Sequence, residues 1–538
     1  MQISNYSFKD LPFSKLFKTY VSDFEQLASF YNANPFDNES IAQKIDDFRF
    51  SGNRKQTVGI LKEFNQKFDV HRAAIDNLER LERKDAVAIV TGQQLGVYGG
   101  PLYTIFKTLG VIFLAQKLER RFDIPVIPVF WLADEDHDYE EVRSLNILNN
   151  DDVKGFELPP QKDHQATVAE TKLPEELQSF RKNIKEALFN TDFSEDLWKI
   201  IDNCFRPGNT FLDAFGCFIA CLFSKHGLVL AGSNNREVKK VTRSFLQDSI
   251  SKADSIRQAL KKKTVEIREE FHQQVTLYDS NLFLLDTQNG RMKISRNGDG
   301  WRTDSGQKWT TKALLNDREE NPQNFSPNVF LRPLVQDGLL PTLGYVAGPG
   351  ETAYYGQMKN MYACFDLEMP IIFPRLSATL IEPAIDRIFH ELPFKFHEYH
   401  HRIEDLESEF VDRTEQVDIE AIFKDWKGKV EAISESKREV ISSIDPTLDG
   451  AAGKATATYY NELNKLKGKV YRAVKKQEET QLNRIRRIKA NFFPGDGLQE
   501  RLISGIFYMN KYGVDIWDKL LNSLEEDEQF DHHKLIYL

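Results

Sequence analysis

At 538 residues the chain exceeds one ordinary domain, so two or three structural units are expected. It is 41% hydrophobic, 28% charged and 12% aromatic with a net charge of −10, a globular profile whose acidic balance argues against a general nucleic-acid binder, because phosphate contacts need a basic surface. No apolar run reaches the length of a membrane span, and the first twenty or so residues lack the apolar core of a signal peptide, so a cytoplasmic protein is expected.

In chain order, residues 1–84 read as a helical segment packing on a core, with Phe24, Leu27, Phe30 and Tyr31 at helical spacing. The apolar run 86–90 has the character of a buried parallel strand. It leads into a glycine loop, Thr91 to Gly96 and then Gly99-Gly100-Pro101, and into a helix from Leu102 with Pro101 in its first turn. A second buried strand spans 125–133 and stops abruptly at the charged run Asp134 to Asp138. Strand, loop, helix, strand is a βαβ unit, whose site belongs at the C-terminal ends of the strands. A helix over Phe211 to Phe223 and a strand over Gly227 to Ala231 extend it.

Residues of about 235–325 read as an inserted connecting segment, with a hairpin formed by Leu282 to Leu285 and Gly290 to Ile294. From Asn324 to Ser377, glycine loops and short apolar runs return to the central sheet, so the core is expected over 85–392. Residues 393–491 change character. Ile419, Phe423, Trp426, Val430, Ile433, Val440 and Ile444 alternate in steps of four and three, and after a break at 445–453 Tyr459, Leu463, Leu466, Val470 and Ala473 resume the rhythm. This predicts an antiparallel coiled-coil arm of roughly 60 Å per helix at about 1.5 Å per residue, with 492–538 returning to the core. The four cysteines, Cys204, Cys217, Cys221 and Cys364, show no CxxC spacing. Cys217 and Cys221 are expected on one buried helix face, as reduced thiols.

Four stretches could carry chemistry. In the first loop, Gln93 and Gln94 can hydrogen-bond a polar substrate, Lys107 supplies charge, and the helix start favours an anion. The acidic run places Asp134, Asp136 and Asp138 on one side of an extended backbone, with Glu135 and His137 opposite. It could hold a divalent metal, capture a substrate ammonium, or orient His137 as a general base. Gly348, Gly350 and Glu351 precede a further helix whose N-terminus would face an anion, with Arg332 upstream and Arg375 downstream, and the fourth stretch, Phe373 to Ser377, places Arg375 and Ser377 after a short apolar strand. Finally, His397, His400, His401, His532 and His533 read as surface histidines, and the cluster Arg484, Arg486, Arg487 and Lys489 as a solvated helix face open to a nucleotide contact.

Taken in order, Thr91-Gly-Gln-Gln-Leu-Gly96, Gly100-Pro-Leu-Tyr-Thr-Ile-Phe-Lys107, Phe130-Trp-Leu-Ala-Asp-Glu-Asp-His-Asp138, Arg332-Pro-Leu334, Gly348-Pro-Gly-Glu351, Pro374-Arg-Leu-Ser377 and Gly497-Leu-Gln-Glu-Arg501 resemble the cysteine-adding enzymes of bacillithiol synthesis along nearly the whole chain. The resemblance implies an α/β fold, a Rossmann-like nucleotidyl-transferase-type core similar to class I aminoacyl-tRNA synthetases, with inserted connecting segments and a coiled-coil arm through which the family dimerises. It implies a ligase that joins the cysteine carboxylate to the amine of glucosaminyl-malate, with ATP or another nucleotide as activating co-substrate and the need for a metal left open. The HIGH and KMSKS signatures of the synthetases are absent. His137, Asp136 and Asp134 are the catalytic candidates. Gln93, Gln94, Tyr103, Lys107, Asp138, Asn328, Arg332, Gly348, Gly350, Glu351, Arg375 and Ser377 are the substrate-binding candidates, and Arg484, Arg487 and Arg501 the nucleotide candidates. Two other readings stand beside this one: a metal-dependent amidohydrolase or deacetylase built on Asp134 to Asp138, and a coiled-coil scaffold without catalysis.

Overall fold

The computed structural model describes every residue except 150–151, 162–166, 287–289, 415–417 and 526–527. By its packing the chain divides into two compact units, one made of Met1–Asn149, Lys154–Leu380 and Gln499–Leu538, the other of Ile381–Leu498 with the short piece 150–153.

At the centre of the first unit is a five-stranded sheet of β1 (Val87–Gln93), β2 (Val126–Leu132), β3 (Val229–Ala231), β4 (Thr342–Ala347) and β5 (Ile371–Pro374), ordered β5-β4-β1-β2-β3. Every neighbouring pair is parallel. β2, β3, β4 and β5 are buried throughout, and β1 up to Gly92, which is why they are written as near-continuous apolar runs. The Rossmann-like expectation, including the late return of the chain to the sheet, is met by this order. Gly344 in β4 is a packing requirement, since a Cβ there would lie 2.6 Å from the Phe373 ring.

β1 runs through Thr91, Gly92 and Gln93, residues expected in the loop. The reversal comes later, at Tyr98, Gly99 and Gly100, three successive residues with φ of 51°, 88° and 68°. The left-handed region is ordinary for glycine and strained for tyrosine. Tyr98 is held in it by burial of its ring against Phe180, Trp198 and Phe205. Helix α1 (Leu102–Phe122) follows, with Pro101 as its N-cap instead of lying in its first turn.

α2 (Phe211–Phe223) and β3 fall where expected. The cysteines do not. Cys204 and Cys217 are joined in a disulfide with Cα atoms 5.4 Å apart, and Cys221 is exposed. One helical turn separates Cys217 from Cys221, but the apolar face of α2 is carried by Phe215, Phe218 and Ile219, so neither cysteine belongs to the core.

The inserted hairpin forms as Leu282–Asp286 against Gly290–Asn297, within an antiparallel sheet completed by Gly300–Thr303, Lys308–Thr310 and Phe325–Pro327. The ends of the chain hold a further departure. Residues 2–6 are a strand, and they pair antiparallel with His533–Tyr537, where His533 was expected at the surface. His533 is fully buried there, its ring nitrogens 2.9 Å from the hydroxyls of Ser377 and Thr379.

The second unit is helical. α6 (Ile419–Ile444) and α7 (Asp449–Gln477) form the expected antiparallel pair, in a register set by Glu420 with Lys467, Lys427 over the Tyr460 ring, and Arg438 with Asp449. With 26 and 29 residues these helices span about 39 and 44 Å, short of the expected 60 Å: α6 starts only at its Asp418 cap, and the second arm breaks at Glu478 before α8 (Glu479–Phe492). Ile433, Val440 and Ile444 stay exposed, at 62%, 56% and 77%. No helix among the described residues is long and apolar enough to cross a membrane.

Burial pushes the His533 imidazole down to about 4 from its usual value near 6.5. The folded protein therefore binds fewer protons than the unfolded chain between those values, and stability is lost as pH falls through that window. Thermal melts from pH 7 to pH 4 should show this loss, and His533→Gln should flatten it; an unchanged slope in the variant would remove His533 as its source.

Candidate active site

The C-terminal ends of β1, β2, β4 and β5 open into one cavity of about 430 Å³ in the first unit. Strand order decides its polarity. The acidic run follows β2 on one side of the central β1, whereas the segments after β4 and β5 supply Glu351 and Arg375 on the other.

On the β4 side, α5 (Pro349–Ala363) begins at Gly348. Glu351 turns back to cap its own helix, accepting from the Gly348 N–H at 2.7 Å and from the Tyr345 hydroxyl at 2.7 Å. Lys107, buried on α1, places Nζ 2.6 Å from the same carboxylate and donates to the Gly92 carbonyl and to Gln93 Oε1. Burial opposes ionisation of Glu351, but Lys107, the Gly348 N–H and Tyr345 outweigh it and hold the carboxyl below its usual range. Burial lowers Lys107, with Glu351 opposing. The anion expected at this helix N-terminus is thus already present as the protein's own Glu351. The α1 start is also engaged, since the Leu102 N–H donates to the Ile503 carbonyl.

Arg375 is likewise spoken for. Its guanidinium donates to Glu500 at 2.5 Å and to the Leu376 carbonyl. Glu500 is fully buried and also accepts from Ser377 Oγ and the Ala378 N–H. Ser377 therefore braces Arg375 through Glu500 and does not line the cavity. Arg332, on α4 (Leu331–Leu339), donates to the Tyr354 hydroxyl and does line it. Asn328 lines it as well, while its Oδ1 accepts from the Phe330 and Leu331 N–H groups.

On the β2 side the chain turns, with Asp136 N–H donating to the Ala133 carbonyl, so the alternation expected of an extended backbone fails. Asp134, Glu135 and Asp136 all line the cavity, Asp138 is exposed and caps a short helix, and His137 stands outside the lining with Nδ1 3.0 Å from the Glu135 carbonyl. Burial and Arg291 hold the His137 ring below its ordinary range. Asp134 accepts from the N–H groups of Ser233 and Asn234, both at 2.9 Å, in the loop between β3 and α3 (Arg236–Val241). That loop has no acid of its own, and Asp134 supplies one. Burial and the neighbouring Glu135 push Asp134 up to about 7. Glu135 accepts from Ser233 Oγ at 2.7 Å and pairs with Lys239 at 2.9 Å. Asp136 accepts from Gln94 Nε2 at 2.8 Å, and Gln93 Nε2 donates to the Tyr103 hydroxyl.

Of the expected residues, Gln93, Gln94, Tyr103, Lys107, Asp134, Asp136, Asn328, Arg332, Gly348, Gly350, Glu351, Arg375 and Arg501 share this cavity; His137, Asp138 and Ser377 do not. Arg484 and Arg487 lie on α8 in the helical unit, where Arg484 pairs with Glu391, and neither lines the cavity. The sequence reading missed Trp131, Ser233, Arg291 and Tyr354. Trp131 ends a strand read only as core, yet its buried indole N–H has no acceptor among the described residues and it lines the cavity. Arg291 comes from the inserted hairpin and carries no local signal at all. Among the described residues no three His, Cys, Asp or Glu side chains are grouped to hold a metal ion.

The comparisons with known proteins agree with this architecture. Residues 1–376 match the N-terminal Rossmann-like domain of bacillithiol biosynthesis BshC, and residues 378–538 its C-terminal coiled-coil domain. The chain belongs to the BshC family. A relative from Salinibacter ruber, named "Putative cysteine ligase BshC", is 31% identical over 96% of this chain and 95% of its own. Relatives of the same name from Geobacillus kaustophilus and Bacillus cereus (strain AH187) are 30% and 29% identical over 90% of this chain, and 90% and 91% of theirs. A family fold with a polar cavity at its strand ends stands against the scaffold reading.

Replacing Lys107 by Met leaves Glu351 buried without its cation, and should cost about 3–5 kcal/mol of stability. The double variant Lys107→Met/Glu351→Gln should recover part of that loss in urea denaturation. Additive losses would show that the two groups do not interact.

Proposed function

We propose that this chain joins the carboxylate of L-cysteine to the amine of glucosaminyl-malate through an amide bond, yielding bacillithiol. The single observation that carries the reading is the bipolar cavity, with acids after β2 and arginines from Arg291 to Arg501 around it. The names of the relatives support the cysteine half.

A carboxylate does not acylate an amine at neutral pH, so it needs activation by ATP or another nucleotide. In the adenylate form a cysteine carboxylate oxygen attacks the α-phosphorus and pyrophosphate leaves; the amine then attacks the acyl carbon and AMP leaves. Arg291 donates to the Pro327 carbonyl and Arg332 to the Tyr354 hydroxyl, with no carboxylate partner among the described residues, so they are the cations available to developing phosphate charge and to the acceptor's malate carboxylates. Asp134 would take the proton from the amine, its affinity near neutrality being suited to that role, while Asp136 orients the ammonium beforehand. His137 has no part in this scheme. The exposed apolar face of α6 fits a homodimer through the helical pair, and both small substrates fit a cytoplasmic place of action.

Mass spectrometry of purified protein with cysteine, glucosaminyl-malate and ATP should give product only in the complete mixture; a complete mixture without product rejects the reaction. The rate should rise with pH through about 7 as Asp134 ionises, and Asp134→Asn should lose that limb. A variant with the wild-type pH profile removes Asp134 as the base.

A further inference from the structure

Beside the central cavity lies a second, smaller one of about 220 Å³, and the two share Gln94, Tyr103 and Arg501 as walls. Its floor is the backbone at 501–504, which is stitched on both sides. Pro101 and Ser504 form an antiparallel bridge, Asn146 and Ile503 a parallel one, and the Ser504 N–H donates to the Asn146 carbonyl. This annex is therefore a built part of the fold.

Three polar groups in it have no partner among the described residues. Ser504 is 1% exposed and lines the annex, yet its buried hydroxyl makes no hydrogen bond. Arg501 and Glu141 line it too and form no ion pair among the described residues. A buried hydroxyl without a partner is costly unless a ligand completes it. One unpaired cation, one unpaired anion and small apolar surfaces at Pro101, Leu145 and Leu502 complement a small zwitterion.

We propose that the annex is the amino-acid subsite, binding a free α-amino acid with a small, soft side chain. The carboxylate lies on Arg501 at the shared wall, the ammonium on Glu141, and Ser504 Oγ donates to the bound molecule. This rests on the proposed ligase reaction and deepens it: the carboxyl to be activated is presented at the opening into the central cavity, where the acceptor amine waits near Asp134. It also gives Arg501 a substrate role in place of the nucleotide role expected from sequence.

Calorimetric titration of the full chain under reducing conditions tests the assignment with three probes: L-cysteine, 3-mercaptopropionate (no ammonium) and cysteamine (no carboxylate). Glu141→Gln should weaken cysteine and cysteamine about tenfold and leave 3-mercaptopropionate unchanged, while Arg501→Gln should weaken cysteine and 3-mercaptopropionate about tenfold and spare cysteamine. Both positions are exposed, so the variants fold, and wild-type melting curves confirm it. Cysteine binding that is unaltered in both variants overturns the annex assignment while leaving the ligase reaction standing. A wild-type chain that binds no cysteine overturns both.

Discussion

Burying a lysine amine requires a partner at hydrogen-bonding distance, and here that requirement ties the strand ends together. Lys107 reaches back from α1 to the Gly92 carbonyl of β1 and across to Glu351 at the start of α5. Glu351 in turn holds Gly348 at the end of β4 and the hydroxyl of Tyr345 within it. One ion pair thus fixes two neighbouring strands and the two helices that leave them. Desolvating both charges costs about as much as their attraction returns, so the pair contributes defined geometry at the cavity floor more than stability.

The same pair decides which charges are left for a ligand. With Glu351 on Lys107 and Glu500 on Arg375, two of the five cations around the cavity are internally neutralised. Arg291, Arg332 and Arg501 come from three separate segments, the inserted hairpin, α4 and the C-terminal return. On the opposite flank the loop at 233–234 offers N–H groups to Asp134 and lets a carboxylate persist in a buried place. Fixed charges of both signs, already desolvated and oriented, are what a condensation of two charged metabolites needs.

Much of this was legible along the chain because it is local. Apolar runs bounded by glycine and charge mark β1, β2 and β4, and the four-three rhythm marks α6 and α7, since burial on two faces or one leaves a periodic trace. The ordered motifs also carry Gln93, Gln94, Lys107, Arg332 and Glu351, all of which line the cavity. Other expectations failed where local pattern stops being informative. His533 reads as a surface histidine, yet residues 533–537 form a buried strand because residues 2–6 pair with them more than 500 positions away. The acidic run alternates on paper, but a turn at Ala133 to Asp136 replaces the extended backbone.

By itself, then, the sequence determined the α/β class, the parallel strands, the helical pair and the strand-end loops, because each follows from side-chain patterning within one segment. Tertiary structure alone decided that Glu351 answers Lys107, that Glu500 answers Arg375, that Arg291 enters from the insert, and that Ser504 is left buried without a partner. Which charges cancel and which stay free depends on distances between segments hundreds of residues apart, and Coulomb attraction and desolvation act on those distances, not on position in the chain.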